Sequence, residues 1–131
     1  MMTIDRYLAH CRWSHNGMEF PHLSCYGLVR LARQELFGLP ALPSLAHMSS
    51  YDKRAATLAA RAITHEHMNP CEPQPGAMAI CWRGRLCMHV GLVVEVDGRL
   101  SVLDIDEGRG ACITPLAVWQ RRYLRVDFYA D

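Results

Sequence analysis

The stretch MHVGLVVEVDGRLSVLDI, residues 88–105, decides the fold class. Residues 88–96 are rich in β-branched and other apolar side chains, the composition of a strand. Asp97-Gly98 is the dipeptide of a tight hairpin turn, and residues 99–105 return with apolar and polar side chains alternating. Working outward, AMAICW (77–82) is a short apolar strand joined to this hairpin by Arg83-Gly84-Arg85. The arginines at 83, 85 and 99 read as a solvated hairpin edge. DEGRG (106–110) is a further turn, and ACITPL (111–116) and YLRVDFY (123–129) are closing strands with a helical turn, AVWQRR, between them.

The first half of the chain reads differently. In SCYGLVRLARQELF (24–37), Cys25, Leu28, Val29, Ala32, Leu36 and Phe37 recur at helical spacing, with Arg30, Arg33, Gln34 and Glu35 largely on the other side. Ser24 is the expected N-cap, and Gly38 followed by Pro40 is a stop signal. A Pro- and Ser-containing loop (39–50) leads to a second long helix over about Tyr51 to His67, with Ser49 and Ser50 as expected caps, and the prolines of MNPCEPQPG (68–76) end it. Ile4, Tyr7 and Leu8 suggest a short first helix. Helices followed by an antiparallel meander predict an α+β fold, N-terminal helices packed on a C-terminal antiparallel sheet, in a single domain over 1–131.

Composition narrows the function classes. Half the residues are hydrophobic, 21% are charged and the formal net charge is +1, so no basic surface for nucleic acid is expected. No run approaches the ~20 apolar residues of a membrane span, and residues 1–15 lack the apolar stretch of a secretory signal. The expectation is a protein made in the cytoplasm without membrane insertion.

The six cysteines, at 11, 25, 71, 81, 87 and 112, form no C-x-x-C pair and are expected as reduced thiols. Cys25 differs from the rest by its place at a predicted helix start, where free N–H groups and the helix dipole favour thiolate. A thiolate nucleophile needs a base, and His89 begins the strongest strand. Asp104, on the strand across the hairpin, is placed to orient that imidazole. Each residue alone also fits an ordinary core or structural role. Cys71, Cys81, Cys87 and His89 match no zinc-ligand spacing, although Cys87 and His89, two apart on a strand, would share a face. His65 and His67, two apart on a helix, do not face each other and read as cations at a helix C-terminus. No metal and no cofactor are expected.

Read together, these segments carry a resemblance. Ser24-Cys25-Tyr26-Gly27-Leu28-Val29-Arg30 resembles the nucleophile motif of the NlpC/P-sixty superfamily of papain-like cell-wall cysteine peptidases, Asp-Cys followed by Ser or Trp and Gly-Leu-Val. Pro75-Gly76-Ala77-Met78-Ala79-Ile80 is similar to its Pro-Gly-Asp-hydrophobic strand, and His89-Val90-Gly91-Leu92-Val93 to its His-Val-Gly-Ile motif. The turn at 106–110 and the ending with Trp119, Arg121, Arg122 and Phe128-Tyr129 are similar to the phage tail-assembly branch. The resemblance covers nearly the whole chain from Trp13 onward.

It implies a papain-like NlpC-type fold with Cys25 as nucleophile, His89 as base and Asp104 as third residue. It also implies an oxyanion and substrate-binding set of Trp13, Ser24 and Tyr26, with Trp13 standing where the family often has a Tyr. Ser24 and Ala77 depart from the family's Asp at their positions. The implied reaction is amide hydrolysis in peptidoglycan stem peptides, of the D-glutamyl-diamino acid type, by an enzyme carried in a phage or prophage tail and acting at the cell wall. The implied partners are the peptidoglycan peptide and phage tail proteins. Two other readings stay open: a structural tail-assembly protein with a weak or inactive site, and an amidase on a non-peptidoglycan substrate.

Overall fold

The structure is a computed structural model that describes residues 3–131; Met1 and Met2 of the expected domain lie outside it. The elements follow in the order α1 (Ile4–His10), β1 (Arg12–Trp13), β2 (Met18–Glu19), β3 (His22–Leu23), α2 (Cys25–Phe37) and α3 (Lys53–His67). Then come β4 (Asn69–Cys71), β5 (Met78–Arg83), β6 (Leu86–Val96), β7 (Arg99–Asp104), β8 (Cys112–Pro115), α4 (Leu116–Gln120) and β9 (Arg125–Ala130). This is an α+β architecture with a six-stranded antiparallel sheet of order β4-β9-β5-β6-β7-β8. Among the described residues no helix is long and apolar enough to cross a membrane.

The hairpin at 88–105 organises the sheet. Asp97 and Gly98 both take positive φ, so the turn twists with its strands, and Val96 pairs with Arg99 across it. One face of the sheet packs Met78, Ile80, Leu92 and Leu103 against Tyr7, Leu28, Val29 and Ile63 from the three N-terminal helices. The other face packs Ala79, Cys81, Val93 and Val102 against Leu116 and Trp119 of α4. The helical turn expected at 117–122 is thus the crossover that covers this second face and carries the chain from β8 across to β9, beside β5. The segment after α3, read from sequence only as a helix terminator, also supplies β4, which pairs with β9.

Two local readings are corrected. Asp52 caps α3, accepting from the Ala55 N–H at 3.0 Å, whereas Ser49 and Ser50 bind His15 and Asn16 instead. Arg33, expected on the polar side of α2, is fully buried. Its guanidinium pairs with the Asp131 carboxylate and donates to the Pro40 carbonyl at 3.3 Å. A charge with such partners can be buried on a helix whose flank is covered by other chain segments.

The N-terminus of α2 is held by backbone contact. Ser24 caps it as expected, its Oγ accepting from the Gly27 N–H at 3.0 Å and donating to the Gly17 carbonyl at 3.1 Å. The Ser24 N–H donates to the same carbonyl at 2.9 Å. A Cβ at Gly27 would stand 1.9 Å from that oxygen. Gly27→Ala must therefore push the start of α2 away from the β2 turn. Overpacking of this kind costs about 1–3 kcal/mol, and thermal unfolding of the variant should show a lowered midpoint together with slower alkylation of Cys25.

Candidate active site

Cys25 is the first residue of α2, so its N–H and that of Tyr26 have no carbonyl four residues back inside the helix. Both point toward the end of the helix where negative charge is stabilised. The side chain is half-buried and packs beside the sheet face that the N-terminal helices cover. Cys11, Cys81, Cys87 and Cys71 all have thiols pushed up by burial, Cys11 to about 11 and Cys87 to about 12. Cys25 moves the other way. Burial opposes its ionisation, but a hydrogen bond to His89, the His89 charge, the Val90 N–H and the Lys53 ammonium outweigh that and hold the thiol below its ordinary value.

His89 lies on β6 where the ladder changes. Cys81 opposes His89, but Trp82 opposes Cys87, so Met88 is an extra residue in the register. This bulge turns Cys87 and His89 to opposite faces: Cys87 joins the core under the helices, while the His89 ring packs by Trp119 and Tyr123. The expectation that Cys87 and His89 share a face is corrected by that one inserted residue. On its other side β6 pairs with β7 only from Leu92–Leu103 onward, so His89 sits beyond the end of that ladder, open to the start of α2.

The His89 Nε2 bonds Asp104 Oδ2 at 2.8 Å, so Nδ1 is the ring nitrogen that Asp104 does not engage. Asp104 is fully buried at the end of β7. Its Oδ2 also accepts from Trp119 Nε1 at 3.0 Å and from an Arg109 Nη2 at 3.1 Å. Burial works against the carboxylate, yet His89, Trp119 and Arg109 hold it below the ordinary range. Burial likewise works against the imidazolium, yet hydrogen bonds to Asp104 and Cys25 and their charges raise His89 to about 10. His89, Asp104 and Arg109 thus form a row of alternating charge in which the buried carboxylate has a cation on each side, and Cys25 adjoins its His89 end.

Trp119 and Arg109 were not singled out for this role by the sequence reading. The signal that could have found Trp119 is Gly91. A glycine inside a strand marks a close approach, and a Cβ there would lie 2.5 Å from Val102 Cγ1 and 3.0 Å from the indole Cζ2. The missing side chain lets the indole settle over β6 with its N–H aimed at Asp104.

A cleft of about 230 Å³ opens over the pair. Trp13, Ser24, Tyr26, Cys25 and His89 all line it. The Ser24 and Tyr26 hydroxyls are bound within the protein, the latter to the Pro43 carbonyl at 2.7 Å, and the Trp13 ring packs by His15 and Tyr51. Residues 39–52 form a strap along one wall. Ser50 Oγ accepts from the Asn16 N–H at 2.9 Å, His15 stacks on Tyr51 at 5.0 Å, and the Tyr51 hydroxyl donates to Glu107 at 2.8 Å on the far rim. Leu45, Met48, Ala56, Ile63 and Met78 make the interior apolar. The arrangement brings together a thiol held below its ordinary value, a histidine fixed by a buried carboxylate, the free N–H groups of a helix start and a cleft with an apolar interior.

Asp104→Asn tests the row of charges through pH. A carboxylate held below 3.8 stabilises the fold above that pH, and a histidine raised from 6.5 to about 10 does so in full only below 6.5. The stability gap between wild type and variant should therefore be widest between these limits and narrow as pH rises toward 10. Its maximum should be roughly 3–5 kcal/mol, the cost of breaking a buried pair, read by denaturant titration across pH. A flat gap would show that the ion pair is not what stabilises the site.

Cys25 reactivity offers a second measurement. Iodoacetamide should alkylate Cys25 well below the ordinary thiol value of 9.0, whereas His89→Ala should shift its pH–rate profile upward toward that value. An unmoved profile in the variant would disconnect the ring from the thiol.

Comparison of the chain with protein-family models, with curated proteins and with solved structures finds no match.

Proposed function

We propose that the chain is a cysteine hydrolase of the papain-like NlpC/P-sixty kind that cleaves an amide bond in peptidoglycan stem peptides. The observation that carries this reading is the Cys25 thiol, lowered at a helix N-terminus beside a histidine whose far nitrogen is bound to a buried carboxylate. Ordered Cys–His–acid geometry of this type suits acyl transfer, because a lowered thiol yields thiolate more readily and the imidazolium is poised to protonate a leaving amine. The choice of substrate rests on the likeness of the segments around Cys25 and His89 to those of the cell-wall peptidases. The likeness of the 106–110 turn and the chain's ending to the tail-assembly branch supports delivery in a phage or prophage tail, with tail proteins as partners.

In this reading the Cys25 sulfur attacks the scissile carbonyl, and the oxyanion that forms is met by the Cys25 N–H. His89 passes its proton to the departing amine as the C–N bond breaks, leaving a thioester on Cys25. Water, deprotonated by His89, then attacks the thioester and releases the carboxylic acid and the free thiol. Asp104 stays ionised throughout and holds the ring with Nδ1 toward the sulfur. Trp13 and Tyr26 form walls against which the peptide lies, and Ser24 holds the helix whose first N–H faces the oxyanion.

Purified protein incubated with peptidoglycan should release soluble peptide fragments with a new amine and a new carboxylate at each cut, detected by mass spectrometry. Cys25→Ala should abolish release, and His89→Ala should lower it by about a thousandfold or more, as loss of a nucleophile's base does elsewhere. Release by Cys25→Ala equal to wild type would overturn the assignment.

A further inference from the structure

The chain has one lysine, Lys53, beside thirteen arginines. It occupies the first position of α3, where the positive end of the helix dipole disfavours a cation. The helix itself gains nothing from a charge there. The side chain instead reaches across to β6, where the ammonium donates to the Met88 carbonyl at 3.1 Å, one residue before His89. Lys53 lines the same cleft as Cys25 and His89 and is partly exposed to it.

The two cations near the reacting groups differ in what they are bound to. Arg109 is engaged by Asp104 at 3.1 Å. Among the described residues Lys53 has no carboxylate within 4.0 Å, and its one hydrogen bond goes to a neutral carbonyl. An ammonium has three N–H donors, so the Met88 contact leaves donors for a ligand while fixing the nitrogen's position. The same cleft is lined by Asp106 and Glu107, both exposed. It therefore carries both signs of charge, with the Lys53 ammonium the cation among its lining residues that no carboxylate engages. An anionic group on a substrate is attracted by Lys53 and repelled by Asp106 and Glu107.

We propose that Lys53 is the carboxylate anchor of this cleft, and that the amide cleaved at Cys25 is flanked by a free carboxylate within reach of that ammonium. The proposal rests on the hydrolase reading and adds the chemical feature by which the substrate is chosen. Lys53 is a specificity residue: it holds a group that does not react and fixes the scissile carbonyl over the sulfur. A substrate whose carboxylate is converted to a carboxamide keeps its shape but loses the charge–charge contact.

The test has two arms, so that the anchor and the hydrolase reading fail separately. The first measures alkylation of Cys25 by iodoacetate and by iodoacetamide in wild type, Lys53→Met and Lys53→Arg, following the Cys25 peptide by mass spectrometry. The iodoacetate-to-iodoacetamide rate ratio should fall about tenfold in Lys53→Met, the equivalent of one charge-assisted contact. It should stay close to wild type in Lys53→Arg, and because both reagents meet the same thiol, any change in Cys25 ionisation on loss of the Lys53 charge cancels from the ratio. The second arm compares synthetic stem peptides that differ only in carboxylate or carboxamide next to the scissile bond. Wild type should prefer the free acid by about tenfold in kcat/KM, mostly through KM, and Lys53→Met should lose that preference.

An unchanged ratio in Lys53→Met in the first arm overturns the anchor, as does a preference in the second arm that survives the substitution. Equal slowing of both alkylating reagents, which leaves the ratio unchanged, would confine Lys53 to its effect on the thiol and overturn the proposal too. If wild type cleaves neither peptide, the peptidoglycan reading falls, and the alkylation ratio alone decides whether Lys53 recognises carboxylate.

Discussion

A carboxylate with no solvent exposure must be compensated by the protein, and at Asp104 one oxygen receives three donors: His89, Trp119 and Arg109. Much of the sheet's far side is arranged to supply them. The Trp119 indole reaches Asp104 because Gly91 leaves room over β6. That indole sits on α4, the crossover that returns the chain from β8 to β9. Arg109 comes from the turn between β7 and β8. His89 completes the set from β6 and, with Nε2 bound, keeps its other nitrogen free of Asp104. One buried charge thus couples the orientation of the histidine to the packing of the second core.

The nucleophile arrives from the opposite side. The start of α2 is held against the Gly17 carbonyl by the Ser24 N–H, the Ser24 hydroxyl and the absence of a side chain at Gly27. The helix N-terminus therefore has little freedom, and Cys25 is presented at a fixed height above the open end of the β6–β7 ladder. The helix dipole and the imidazolium act on the same sulfur, which is why this thiol alone among those with shifted values moves down while burial drives the others up. The site joins the two cores: the thiol belongs to the one under the helices, and the aromatic rings that pack by the histidine lie on the other.

The cleft adds polarity to this machinery. Its interior is apolar, and Lys53, Asp106 and Glu107 line it as charged groups. The strap over 39–52 meets the β1–β2 turn through His15 and Asn16 and spans to Glu107 through Tyr51. Tyr26 and Arg30 of α2 hold the same strap through the Pro43 and Leu42 carbonyls, each at 2.7 Å. This wall of the cleft is thereby tied to the helix that carries Cys25.

Local pattern was enough for α1 to α3 and for the strands from β5 onward, but not for β1 to β4. Helical periodicity and a Ser cap placed Cys25 at a helix start, and Asp97-Gly98 placed the hairpin that sets β6 against β7. These are short-range effects, determined by capping, turn conformation and the side-chain period of each element. What pattern could not supply was anything that depends on a second segment. The bulge at Met88, which sends Cys87 and His89 to different faces, arises from how β5 and β6 pair. The burial of Arg33 depends on Asp131 and Pro40, and the donors to Asp104 come from residues 5 and 15 positions away along the chain. The sequence by itself determined which residues begin a helix or turn a hairpin, because those choices are made within a few residues. Only the tertiary structure decided that the Cys25 thiol is drawn below its ordinary value, because that depends on groups brought together from α2, α3 and β6.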